Sequence, residues 1–181
     1  MKGLTLIETI VALGVTMTTV LAAYAGYSAH QKAYQEDLIY VELAQNGRIA
    51  LDRMSREIRQ TPAIVTALPP DQTQPAATEI MFQDGHEASK IQYISYYLDS
   101  TDLKRRLTHY YFPSEPDQWV PKDSQDEQGN PPISVIDEDN TIAESITSLG
   151  FYGEKVIHID LTLEKLNKKL DFQTAIWSRN L

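Results

Sequence analysis

The sequence predicts an α+β fold in which a long N-terminal helix covers an antiparallel β-sheet, and three observations predict it. An apolar run over Leu4–Ala29 passes without a proline into an amphipathic stretch that ends before Pro62. After Pro62 the texture changes to short runs of alternating apolar and polar residues, clearest in Lys155–Leu163 and Leu170–Ile176. The amphipathic stretch carries one apolar stripe, which is the cover that a sheet with one buried face requires. A chain of 181 residues has room for one ordinary domain with an appendage.

Taken in order, residues 1–3 read as a short leader and 4–29 as a transmembrane helix half. Residues 30–61 follow as an amphipathic helix half and 62–181 as a β-rich head. Between Leu4 and Ala29 the sole charged side chain is Glu8. At about 1.5 Å per residue this stretch exceeds a hydrocarbon core of roughly 30 Å. A helix so long and apolar on every side is too large for the rest of the chain to surround, which argues against a buried core helix. A cleaved secretory signal would end in small residues, as Ala22-Ala23-Tyr24-Ala25 could provide, but the helical pattern runs on.

Past Ser28, Ile39, Leu43, Gly47, Ala50, Met54 and Ile58 recur at helical spacing, with Leu51 widening the stripe and charges, Glu57 among them, on the other faces. The residue before a proline disfavours the helical region, so the helix is expected to end near Gln60 or Thr61. The simplest reading is one continuous helix from about Leu4 to Gln60, roughly 85 Å long.

The head opens with the proline-rich connector ALPPDQTQPAAT. Strands are expected at Glu79–Gln83, Lys90–Leu98, Leu107–Phe112, Ser145–Tyr152, Lys155–Leu163 and Leu170–Ile176, with EKLNKK as the final turn region. Ile157, Ile159, Leu161 and Leu163 define the buried face of the fifth of these strands.

The formal charge of −9 is unevenly spread. Residues 1–60 hold six basic and six acidic side chains, which leaves ten against nineteen in residues 61–181. So acidic a head is a poor partner for nucleic acid or anionic lipid, both of which are gripped by basic patches. The chain has no cysteine, which removes disulfides, thiol catalysis and cysteine-based zinc sites. The four histidines show no metal-ligand spacing.

Asp123–Gly129 and Asp137–Asn140 read as acidic loops whose glycine placement does not suit an EF-hand, so no metal is expected. Lys104-Arg105-Arg106, read as a turn and sheet surface with Tyr110-Tyr111 beside it, is the one basic cluster that could stack and hold single-stranded nucleic acid. No nucleophile, Walker or paired-carboxylate motif is present, so neither an enzyme nor a cofactor is expected.

The N-terminal Gly3-Leu4-Thr5-Leu6-Ile7-Glu8 resembles the class III signal of type IV pilins and type II secretion pseudopilins. In that family a basic leader ending in glycine is cut by a prepilin peptidase, and the new N-terminus is methylated. The resemblance implies cleavage between Gly3 and Leu4, N-methylation of Leu4, and Glu8 at the family's glutamate position. The chain departs from the family in two respects, with leucine where the first mature residue is usually phenylalanine and with a leader of three residues.

The physics of such a site is direct. Cleavage frees an amino group at Leu4 within or beside the bilayer, and Glu8 of a neighbouring helix can neutralise it when subunits stack with a small offset. A charge in hydrocarbon is tolerated when paired, and the pair fixes register along a featureless apolar helix. Gly14 and Gly26 permit close approach of neighbouring helices.

The stretches RIALDRMSREIRQ, ISYYLDSTDLKRRL and SITSLGFYGEKVIHIDLTL…WSRNL are similar to minor pilins and pseudopilins of the W and J types. The resemblance implies a single-span protein of the cytoplasmic membrane with its head outside, partnered by other subunits, prepilin peptidase and an assembly platform protein, and placed at the filament tip to initiate or cap assembly. The competing expectation is a membrane-anchored binding module that never polymerises, with DNA capture through Lys104–Arg106 as one form of it.

Overall fold

The computed structural model describes residues 5–86 and 90–177. A single helix, α1 (Leu6–Gln60), precedes eight strands: β1 (Glu79–Gln83), β2 (Gln92–Asp99), β3 (Asp102–Phe112), β4 (Glu115–Trp119), β5 (Ile133–Ala143), β6 (Ile146–Tyr152), β7 (Val156–Lys165) and β8 (Lys168–Trp177). This is the α+β fold expected, with helix packed against antiparallel sheet. The chain divides into two compact units, residues 1–41 and 42–181.

The first unit is helical from Leu6 onward, and its large apolar side chains from Leu6 to Val41 are exposed, except Ile39, which is half-buried. Its hydroxyls are answered locally. Thr16 Oγ1 donates to Ala12 O at 2.8 Å and Thr19 Oγ1 to Val15 O at 2.8 Å. Such back-bonding leaves little for water to satisfy, as a helix in hydrocarbon demands. An 18-residue stretch of α1 reaches a mean hydropathy of 1.9, so the helix is long and apolar enough to cross a membrane.

In the second unit the remainder of α1 buries Leu43, Gly47, Ala50, Met54 and Ile58, the stripe read from the sequence. Against it stand two antiparallel sheets where one was expected. The first has strand order β1-β2-β3-β4 with β5 also paired to β3, and the second is β6-β7-β8. Ala77 bridges to Phe151 by two backbone hydrogen bonds, of 3.0 and 2.8 Å. Ile146 N donates to Thr101 O at 2.9 Å, a link from β6 to the turn between β2 and β3. Ile80, Phe82, Ile94 and Leu103 from the first sheet and Phe151, Ile157, Ile159 and Leu161 from the second are core residues with the helix stripe. At Gly47 a Cβ would lie 2.5 Å from the Phe172 ring, so the helix sits close to β8 because this residue has no side chain.

The β7–β8 hairpin turns on Leu166 and Asn167, both at positive φ (48° and 65°), the two-residue geometry whose twist matches the flanking strands. Two strands, β4 and β5, were not expected, and β3 begins earlier than expected. The acidic stretch Asp137–Asn140, read as a loop, lies within β5, where Asp139 faces Arg106 and Glu138 faces Leu107. The stretch Lys104–Arg106, read as leading through a turn into a strand at Leu107, is already inside β3. The turn falls earlier, next to Ser100, whose φ is 60°.

Candidate functional site

The site implied by the sequence lies at the start of α1. Gly3 and Leu4, the expected cleavage and methylation positions, lie outside the described residues. Thr5 and Glu8 are described, and they form a capping box. Thr5 N donates to Glu8 Oε2 at 2.9 Å, Thr5 Oγ1 donates to the same oxygen at 3.0 Å, and Glu8 N donates back to Thr5 Oγ1 at 3.4 Å. Thr-x-x-Glu therefore satisfies backbone donors that every helix start leaves open, and the carboxylate complements the positive end of the helix dipole.

This role of Glu8 is legible in the sequence as Thr5-Leu6-Ile7-Glu8, yet the apolar surroundings drew attention to its charge instead. The two roles are compatible. Both contacts use Oε2, and among the described residues no hydrogen bond engages Oε1. Glu8 is exposed, and so are the positions of Gly14 and Gly26, where a Cβ would meet nothing within 4 Å. Helix packing through these glycines has no counterpart inside this chain.

No family model, curated protein or solved structure matches this chain.

The second cluster of charge is in the head and centres on Glu57, which the sequence placed on a solvated helix face. It is instead nearly buried. Tyr96 Oη donates to Glu57 Oε2 at 2.6 Å, and Arg105 Nε reaches both carboxylate oxygens at 3.0 and 3.1 Å. Arg105 Nη1 also donates to Glu138 Oε2 at 3.2 Å, and Arg53 Nε approaches Glu57 Oε1 at 3.5 Å. The side chains of Arg105 and Glu57 are 9% and 10% exposed.

Burial works against the Arg105 charge, but the hydrogen bond and the field of Glu57 outweigh it and hold the guanidinium above its ordinary range. Burial, reinforced by Glu57, pushes the Tyr96 hydroxyl well above the usual phenol range, so it stays a hydrogen-bond donor. Breaking such a buried pair from one side is expensive, which makes it a clamp between α1 and the first sheet rather than a chemical centre.

This arrangement refines the reading of Lys104–Arg106 as a turn and sheet surface, since all three lie within β3 and Arg105 is buried. Tyr96 and Arg105 are directly opposite each other in the β2–β3 register and turn toward the helix, whereas Lys104 and Arg106 turn to the other face. There Arg106 Nη2 meets Asp139 Oδ2 at 2.8 Å, also bonds Tyr97 Oη, and lies over the Tyr97 ring at 4.6 Å. Lys104 Nζ donates to Thr141 Oγ1 at 2.8 Å. The cations are spent on acids and hydroxyls of the neighbouring strand. Tyr110 packs edge-on against Tyr93 and offers no free stacking platform for a base.

His86, His109 and His158 each have their own neighbour, Asp84 in the case of His86. His109 Nδ1 lies 2.7 Å from Asp137 Oδ2 with its ring stacked on Trp119, and His158 stacks on Tyr152. In the Asp123–Gly129 loop, Asp126 accepts from the backbone of Gln128 and Asn130 at 2.9 and 2.7 Å, closing a turn completed by Gly129 at φ 83°. Among the described residues no three His, Asp or Glu side chains converge as metal ligands would.

Proposed function

We propose that the chain is a minor subunit of a type IV pilin-like filament, a pilus or a secretion pseudopilus. In this reading prepilin peptidase cuts after Gly3, Leu4 becomes the methylated N-terminus, and α1 holds the subunit in the cytoplasmic membrane with its head outside until it joins other subunits through the assembly platform. Its place is at the tip, where it initiates or caps the filament.

The observation that carries this reading is a seam on the first unit of α1. Leu6, Ile10, Leu13, Met17, Val20, Tyr24, Tyr27, Tyr34, Leu38 and Val41 follow the alternating four- and three-residue spacing of a helix that packs against helices, with Gln31 filling the one polar position. Every one of the apolar ten is exposed. Tyr24 and Tyr27 lie about 27 and 32 Å along the helix from Leu6, where a bilayer entered at Leu6 gives way to headgroups and water and where tyrosine is enriched.

A lipid environment alone accounts for the seam up to that point. Beyond it, Tyr34, Leu38 and Val41 remain exposed among Lys32, Glu36 and Asp37, with Leu38 at 50%. Apolar residues in register outside the membrane need a helical partner. A bundle of like helices supplies both environments, and within it the Glu8 carboxylate can meet the Leu4 amine of a neighbour.

The test is the mass of the native N-terminus, isolated from cells that hold a prepilin peptidase. The reading expects a chain that begins at Leu4 and carries one added methyl group. A chain that still begins at Met1 contradicts it and points to an anchored module that does not polymerise.

A further inference from the structure

An open groove of about 610 Å³ runs beside the last turns of α1, where Arg48, Arg56 and Arg59 and a single acid, Asp52, line it with Leu51 and with Phe172 from β8. Three guanidiniums over an apolar floor are unusual in a chain of net charge −9. Elsewhere in the head four cations are matched by acids, Arg105 by Glu57, Arg106 by Asp139, Lys165 by Glu42 and Lys169 by Asp171. In the groove the match is poor. Arg56 reaches Asp52 only at 3.9 Å, with both side chains exposed, and neither Arg48 nor Arg59 has an ion pair among the described residues. The groove also borders a sheet edge, since β8 pairs with β7 and with no other strand.

The complement is present elsewhere in the same unit. Between Pro113 and Pro132, Glu115, Asp117, Asp123 and Glu127 are exposed and without a partner among the described residues, opposed only by Lys122. Three further prolines (Pro116, Pro121 and Pro131) restrict this stretch, and the Asp126 turn holds its tip, so less freedom is left to lose on docking. None of these residues lines the groove of its own chain.

We propose that the arginine groove receives the acidic segment Glu115–Glu127 of a second copy of this chain. Two different surfaces then meet, so the contact is heterologous, with the groove of one copy against the acidic segment of the next. The inference rests on the reading of the chain as an assembling subunit and identifies one of its partners as itself. It assigns the head its own contact, separate from the helix seam.

The absence of cysteine from the sequence makes the test clean. Full-length chains carrying Ser55→Cys in the groove are mixed in membranes with chains carrying Gln125→Cys in the acidic segment, and disulfide-linked dimers are counted after mild oxidation. A parallel sample carries Leu38→Cys on the helix seam. The proposal expects the Ser55–Gln125 pair to cross-link, and to lose about tenfold when Arg56→Glu and Arg59→Glu are added, because like charges then face each other. It also expects a marked loss in high salt, which screens exposed charges.

If Leu38→Cys chains cross-link while the Ser55–Gln125 pair does not, copies assemble but the groove proposal is overturned. If Ser55→Cys links only to a different protein, the occupant is another acidic subunit and the second-copy assignment is overturned. If neither pair links, the assembly reading fails together with it.

Discussion

Glu8 and Glu57 are both carboxylates on α1 flanked by large apolar side chains, and the protein answers them differently. Around Glu57 the answer is internal. Tyr96 and Arg105 reach it from two strands, and its apolar neighbours Met54 and Ile58 are fully buried. Around Glu8 the chain supplies only the cap from Thr5, and the neighbours Leu6, Ile7, Ile10 and Val11 are exposed. Each set of apolar residues carries the same hydrophobic driving force, but in residues 42–181 it is satisfied by the fold, whereas in residues 5–41 the fold leaves most of it unsatisfied. Two segments of one helix thus differ in where their stability comes from, within the chain or outside it.

The comparison breaks most readily at the largest side chains. Met54→Ala should cost about 2–5 kcal/mol, the transfer term plus a cavity that close neighbours cannot fill. Leu13→Ala should leave the head within about 0.5 kcal/mol of the parent, because no residue of this chain packs on it. Chemical denaturation of the full chain in mild detergent, followed through tryptophan fluorescence, measures both, and equal losses would remove the distinction. Next in size, Glu57→Ala leaves the nearly buried Arg105 with only the half-exposed Glu138 as acidic partner and should cost about 3 kcal/mol in the same experiment. Asp52→Ala, which breaks the exposed pair with Arg56, should stay within about 1 kcal/mol. If the two were alike, Glu57 would be a surface charge after all.

The helix, its buried stripe and the β7–β8 hairpin were legible because each is written as a period that local neighbours share. Leu43 to Ile58 repeats at helical spacing, and Ile157 to Leu163 alternates. Strand β5 was not legible for the same reason. Nearly all of it is exposed, so no apolar alternation marks it, and its acids are held by Arg105, Arg106 and His109 from a strand more than twenty residues away. Arg105 was read as part of a turn and sheet surface because a sequence does not say that an acid on the helix lies across from it. Glu57 did carry a weak signal, since it follows Met54 by three residues and borders the apolar stripe. The division into two sheets had none, because it depends on which strand edges meet at Ala77 and Phe151.

At the N-terminus the sequence supported two jobs for Glu8, a helix cap and a charge for a neighbouring amine, and a single substitution separates them. Glutamine at this position of a capping box still accepts from the Thr5 backbone, so Glu8→Gln preserves the cap and removes the charge, while Glu8→Ala removes both. Recovery of the chain in the sheared filament fraction, set against its amount in the membrane, is the decisive measurement. The account predicts that Glu8→Gln reaches the membrane at normal levels and is missing from filaments as completely as Glu8→Ala. Wild-type recovery of Glu8→Gln in filaments would contradict it and reduce Glu8 to a helix cap.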